Sequence, residues 1–184
     1  MQTSIIGRRY VDCFVMNQLY SNKDEAEVFS DVSNNEFDEL LCLYPQKARI
    51  IKSCKYFKGK LFAWLVDQDI SYSTAKPEYF TAEQLILAVS QMGYILGGLI
   101  IKDDYYSNVD SSFYKTFLMK ISDLECYYTR ISMALKKKII KGNDNLIEMR
   151  INKVNYYPTN KRMFAELAVK VGESFSAEIH LITT

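Results

Sequence analysis

From Leu85 to Ile101 the chain runs for 17 residues without a charge, as LILAVSQMGYILGGLII. A helix that is apolar nearly all round either crosses a bilayer or is enclosed by protein. A bilayer span needs about 20 predominantly apolar residues. This run is shorter, carries Ser90-Gln91 and three glycines (Gly93, Gly97, Gly98), and has no second run like it. The reading is a buried central helix and no membrane span. With 48% hydrophobic residues among 184, the chain holds enough apolar surface to build the cover such a helix needs.

That cover is readable as strands. ARIIKSCKYF (48–57) and KLFAWLVDQDI (60–70) flank Lys58-Gly59, a short hairpin turn. After residue 125 the apolar pattern changes to period 2. Thr129, Ile131, Met133 and Leu135 share one side of the first strand, and Ile147, Met149 and Ile151 one side of the second. Met163, Ala165, Leu167, Val169 and Val171 follow, then Phe175, Ala177, Ile179 and Leu181. Such alternation suits a sheet with one buried and one wet face. Short turn-rich joins between these four strands predict an antiparallel meander, with residues 102–125 as loop and a short helix. The fold class is α+β: an antiparallel sheet around a long apolar helix. Residues 1–35 read as an N-terminal extension, with a short helix over 8–20, and 36–184 as the domain. NNEFDELLCLYP reads as a helix capped by Asn35, with Pro45 past its end.

Charge and composition narrow the function. Twenty-three basic against 22 acidic residues give a net charge of +1, which does not favour nucleic-acid binding. Cys13, Cys42, Cys54 and Cys126 are scattered, with no CxxC pair and one histidine, so no metal site or cofactor is expected. Scattered cysteines and no visible secretory signal predict a reducing, cytoplasmic setting. His180 alternates with Ser176 and Glu178 on the wet face of the last strand, leaving nothing for a Ser-His or Cys-His nucleophile.

A sheet wrapped round one apolar helix is the hot-dog arrangement, used mostly by enzymes acting on acyl thioesters. YFTAEQLILAVSQMGY (79–94) resembles the central-helix motif of the long-chain fatty-acyl-CoA thioesterase family known as FcoT. Members of that family are also assigned as (2E)-enoyl-ACP glycyltransferases of isonitrile lipopeptide pathways. The family pattern is His-Phe-Asn, Ala, an acidic or amide residue, Leu-Ile-Leu, then Asn-Gln and Tyr. Here Tyr79-Phe80-Thr81, Ala82, Gln84, Leu85-Ile86-Leu87, Ser90-Gln91 and Tyr94 stand in those places. KDDYY after the helix, LKKKI and SAEIHLITT extend the similarity over about residues 40–184. The resemblance implies a homodimer or higher homo-oligomer that takes acyl-CoA or acyl-ACP, with glycine as a second substrate in the glycine-adding form. It also implies that Tyr72, Thr81 and Ser90 line the reacting centre. Thr81 and Ser90 replace family asparagines and Tyr79 replaces the histidine, while the family's tyrosine near the first strand falls at Pro45-Gln46. These departures keep open a second function, a scaffold that binds an acyl chain or partner protein without turnover.

The residues carry physical readings of their own. Thr81-Ala82-Glu83-Gln84 fits a capping box, which can simply start a helix. The same helix end offers backbone N–H groups, at Ala82 and Glu83, to a thioester oxygen. Glu83 either complements the helix dipole or, with a pKa raised by burial, acts as a base. Ser90 and Tyr94, one turn apart with Gln91 beside them, either bond to sheet backbone or line a tunnel. Lys136, Lys137, Lys138 and Lys141 form a solvated strand end, or attract the phosphates of CoA and the acidic surface of an acyl carrier protein. The candidate catalytic set is Tyr72, Tyr79, Thr81, Glu83 and Ser90. The candidate substrate-binding set is Ala82, Gln91, Tyr94, Lys136 and Lys138.

Overall fold

The computed structural model describes residues 29–66, 77–103, 106, 109–142 and 145–184. The proposed helix over 8–20 and the far end of the second strand candidate, 67–70, lie outside the described residues. The long apolar run forms α2 (Ala82–Lys102), and a seven-stranded antiparallel sheet curls around it in the hot-dog fold. Its strands are β1 (Ser30–Asp31), β2 (Ile51–Phe57), β3 (Lys60–Leu65), β4 (Cys126–Leu135), β5 (Leu146–Tyr157), β6 (Arg162–Val171) and β7 (Phe175–Thr183). Two smaller helices complete it, α1 (Asn34–Leu40) and α3 (Phe113–Ser122). From Gln91 through Ile101 every residue of α2 is buried. The helix is therefore enclosed by its own sheet, although it is long and apolar enough to pass for a span.

Several local expectations hold. The turn at Lys58-Gly59 has φ of 41° and 77°, and the glycine accepts the left-handed backbone that a tight hairpin requires. Buried and exposed residues alternate along β6 and β7 as the period-2 pattern predicted. Helix α1, however, is capped two residues earlier than expected. Ser33, not Asn35, accepts the Glu36 N–H at 3.3 Å, and the Glu36 carboxylate accepts the Ser33 N–H in return. Ser30 and Asp31 pair with Tyr56 and Lys55, so the sheet already begins before residue 36.

The meander is the main correction. The strand order is β1-β2-β3-β5-β6-β7-β4, so of the four strands after residue 125 only β5, β6 and β7 are consecutive neighbours. β4 crosses to the far edge and pairs with β7, while β5 inserts beside β3. Alternation predicts which face a strand buries but not its neighbour, because every inward-facing strand carries the same pattern. A bulge adds a second correction. Tyr128 pairs with Leu181 and Arg130 with His180, which leaves Thr129 as the extra residue and turns Tyr128, not Thr129, to the inner face.

The glycines of α2 explain how closely the cover fits. A Cβ on Gly97 would lie 3.0 Å from both Leu181 and Phe117, and one on Gly98 would collide with Leu40. Sheet, α3 and α1 thus all reach the helix at one level. In an exposed helix, Gly→Ala gains about 1 kcal/mol, but overpacking a close contact costs about 1–3 kcal/mol. Leu40 is fully buried, so the added methyl must displace its side chain within the core. Gly98→Ala is therefore expected to destabilise the protein in urea unfolding. In a Leu40→Ala background the same change is expected to be neutral or stabilising.

Candidate functional site

Helix α2 starts where its cap and a neighbouring chain segment meet. Thr81 Oγ1 accepts the Gln84 N–H at 3.3 Å, and Gln84 Oε1 accepts the Thr81 N–H at 3.0 Å, completing the expected capping box. The segment that follows β4 closes over this end. Phe80 N–H donates to Ile139 at 2.9 Å, Lys141 N–H donates to Glu78 at 2.9 Å, and Tyr79 bridges Ile140. The Lys138 ammonium lies 4.9 Å from the Tyr79 ring centroid, a cation–π contact. Tyr79, Thr81, Ala82 and Lys138 are thus brought together. Tyr72 lies outside the described residues.

The cap leaves the Ala82 amide directed outward at the positive end of the helix, on an exposed residue. Glu83 is exposed too. Its own backbone N–H, then the Thr81 hydroxyl, hold its carboxyl below the usual carboxylate range. That is the dipole-complementing role, and no burial raises its pKa toward that of a general base.

About two turns further on, the polar stripe divides. Gln91 is fully buried and committed to the main chain: Oε1 accepts the Ile50 N–H at 3.0 Å and Nε2 donates to Ala48 at 2.8 Å. Tyr94 is buried and donates to the Cys126 carbonyl at 3.0 Å. Both bond sheet-side backbone, so neither offers its polar group to a ligand. Ser90 is half-buried, and its hydroxyl has no hydrogen-bond partner among the described residues.

Two tyrosines that the motif reading passed over complete this region. Tyr128 of β4 donates its hydroxyl to the Ser90 carbonyl and its ring lies tilted 5.3 Å from that of Tyr94, while the Tyr44 ring lies tilted 6.2 Å from Tyr94. A Cβ on Gly93 would lie 2.6 Å from the Tyr128 hydroxyl, so the glycine makes room for this ring. Burial is the first cause raising the phenols of Tyr44, Tyr94 and Tyr128 above the ordinary range; all three are neutral at pH 7. The Tyr128 signal was obscured by the bulge at Thr129. Tyr44 lies one residue before the Pro45-Gln46 to which the resemblance pointed.

The N-terminal half of α2 has an open flank. Ile131 and Leu135 of β4 pair with the buried Ile179 and Phe175, yet are themselves 36% and 48% exposed. Ile86 of α2 is 39% exposed and Ile140, at the helix start, 60%. Tyr128 of β4 touches Ser90, and Ile139 of the segment after β4 touches Phe80, so this part of the chain meets α2 at two points. Four apolar side chains on α2, on β4 and on the segment after it are thus exposed, and Ser90 and the Thr81 cap lie on the same half of the helix as Ile86.

No family model matches the chain, and no curated protein matches it. Among solved structures, the chain is similar to Cj0977, a sigma28-regulated virulence protein from Campylobacter jejuni. That match has 10% identity and a TM-score of 0.46, over 81% of this chain and 95% of that one. A second is an HP0420 homologue from Helicobacter felis, with 9% identity and a TM-score of 0.37, over 68% of this chain and 72% of that one.

Removing a partner from a buried donor or acceptor costs about 1–3 kcal/mol, and Gln91 serves one of each. Gln91→Leu is therefore expected to lower unfolding stability by about 2–4 kcal/mol in chemical denaturation. A direct substrate-binding role would instead show as impaired ligand binding with stability unchanged.

Proposed function

We propose that the protein acts on fatty acyl thioesters, in the manner of the FcoT-like family it resembles. The preferred reaction is addition of glycine to a (2E)-enoyl-ACP; hydrolysis of long-chain acyl-CoA is the related form. What supports this reading is the capped N-terminus of α2 together with the exposed apolar groups Ile86, Ile131, Leu135 and Ile140, which we read as one strip. An acyl chain matches the strip, and a thioester carbonyl matches the Ala82 end of the helix.

In the addition, the amine nitrogen of glycine bonds to Cβ of the enoyl group. The π electrons move to the thioester oxygen, which becomes an enolate held by the helix-terminal amide and dipole. Cα then takes a proton and the ammonium loses one. Tyr79 and Thr81, beside this end, and Ser90, about two turns further along the helix, are the polar groups that orient the amine and pass protons. No covalent nucleophile is required. In the hydrolytic form, water replaces glycine and the acyl carbon is attacked. The neutral phenols of Tyr94 and Tyr128 serve as wall and support.

A second copy of the chain is the proposed cover for the open flank, as a cytoplasmic homodimer. β4 is a ten-residue edge strand with Ile131 and Leu135 uncovered, and such an edge invites pairing with another chain. Light scattering is expected to give a dimer mass for the protein and a monomer mass for Leu135→Glu. A dimeric Leu135→Glu variant would count against this surface.

The reaction is tested by incubating the protein with enoyl-ACP and glycine, and separately with long-chain acyl-CoA, following mass and free thiol. A glycine adduct of intact thioester is expected in the first case. Ser90→Ala and Tyr79→Phe are expected to slow turnover about 10²-fold if they pass protons. No adduct and no thiol release at any chain length would sink the enzyme reading and leave an acyl-binding scaffold.

A further inference from the structure

One stripe of α2 changes from open to covered along its length. Ala82, Ile86, Ser90, Gly93 and Gly97 follow one another at spacings of four, four, three and four, so they share one face of the helix. Ala82 and Ile86 are exposed and Ser90 is half-buried, whereas Gly93 and Gly97 are buried. The cover begins with one ring. A Cβ on Gly93 would lie 2.6 Å from the Tyr128 hydroxyl and 3.0 Å from the edge of its ring, and one on Gly97 would lie 3.0 Å from Phe117 and Leu181. Among the described residues Tyr128 is thus where closure of this face starts, and Phe117 and Leu181 continue it. The ring is also held in place. Its hydroxyl donates to the Ser90 carbonyl, and it lies 5.3 Å from the ring of Tyr94. Tyr94 in turn donates at 3.0 Å to the Cys126 carbonyl, two residues before Tyr128. The bulge at Thr129 supplies the extra residue that aims Tyr128 at the helix.

The open part of this face has a definite length. Ser90 follows Ala82 by eight residues, about 12 Å at about 1.5 Å per helical residue. An extended alkyl chain advances about 1.25 Å per methylene, from bonds of about 1.5 Å and angles near 111°. About ten carbons therefore reach from the helix start to the ring. We propose that Tyr128 is a specificity-determining residue, the stop against which the end of an acyl chain lies, and that the chain is of medium length, about ten carbons. Gly93 is the helix position that leaves room for the stop. Tyr128 acts here by excluding longer chains and takes no part in the reaction. The inference rests on the acyl-thioester reading, with the thioester at the Ala82 end, and goes beyond it by assigning the chain length and the residue that sets it.

The test is equilibrium binding of S-alkyl-CoA thioethers of increasing chain length, which have no carbonyl to attack and are not turned over. On the wild-type chain, affinity is expected to rise about fourfold with each added methylene and to stop rising at about ten carbons. In Tyr128→Ala the rise is expected to continue for several carbons more, whereas Tyr128→Phe keeps the ring and leaves the limit where it was. Ile86→Trp fills the same face from an exposed position, halfway to the stop. It is expected to lower the limit to about five carbons with the melting temperature unchanged, so it reads this face even where Tyr128→Ala does not fold. A wild-type affinity that keeps rising to about sixteen carbons would overturn the proposal. So would a folded Tyr128→Ala or Ile86→Trp variant with the wild-type limit, or a Tyr128→Phe limit raised as far as that of Tyr128→Ala. Binding without a limit leaves the acyl-thioester reading standing, while no binding at any length overturns both, so the two failures are distinguishable.

Discussion

The structure depends on enclosing one helix that has no polar face. α2 can be dry only if each polar group along it finds a partner inside the fold, because an unpaired buried donor or acceptor costs about as much as the packing gains. Gln91 meets that demand by bonding both polar atoms to the chain leading into β2, and Tyr94 does so at the first residue of β4. Two strands distant in the sheet are thereby fixed to one helix. The same demand explains the glycines: each sacrifices about 1 kcal/mol of helix propensity to admit Tyr128, Phe117 with Leu181, or Leu40.

Enclosure is uneven along the helix. The C-terminal half is fastened from several directions. Tyr56 donates to Asp103 at 2.6 Å while accepting the Gly59 N–H, so the hairpin turn is tied to the helix cap. Lys102 pairs with Glu36 at the start of α1 and lies over the Tyr114 ring of α3. Leu40 and Phe117 meet the helix at Gly98 and Gly97. No comparable layer covers Ile86, Ser90, Ile131 and Leu135 within the described residues. A fold that had only to be stable would gain by burying those apolar groups, each worth about 1.5–3 kcal/mol when fully covered. Their exposure sets this end apart from the rest of the helix.

Much of this was legible in the sequence because it is local. The uncharged run, the Thr81–Gln84 box, the Lys58-Gly59 turn and the alternation of β6 and β7 each follow from residues within a turn or two of one another. What was not legible depends on distant pairing. The place of β4 at the edge beside β7 cannot be inferred from a pattern that β5 shares, and the bulge at Thr129 reverses the facing of Tyr128 without a glycine to announce it. The candidate site divided along the same line. Thr81, Tyr79 and Lys138 were neighbours of the cap in sequence or on the segment that closes it, and they assemble there. Gln91 and Tyr94 had the right spacing for a tunnel wall, but their polar atoms are already bonded to backbone 32 to 43 residues away.

The chemical resources of the described chain limit how a thioester could be handled. Burial raises the Cys54 thiol far above its ordinary range and pushes Cys126 up to about 12, so neither supplies a thiolate at neutral pH. His180 lies on the outer face against Phe164 and Glu178, on the opposite side of the sheet from α2. Glu83 is held as a carboxylate at the helix dipole. What remains at the open end is an oriented amide, a helix dipole and neutral hydroxyl groups. Such a set stabilises developing charge on an oxygen far better than it generates a strong nucleophile. A substrate that brings its own nucleophile, such as an amine, asks less of this site than one that requires water to be deprotonated. That difference is why we propose addition to an activated alkene ahead of hydrolysis.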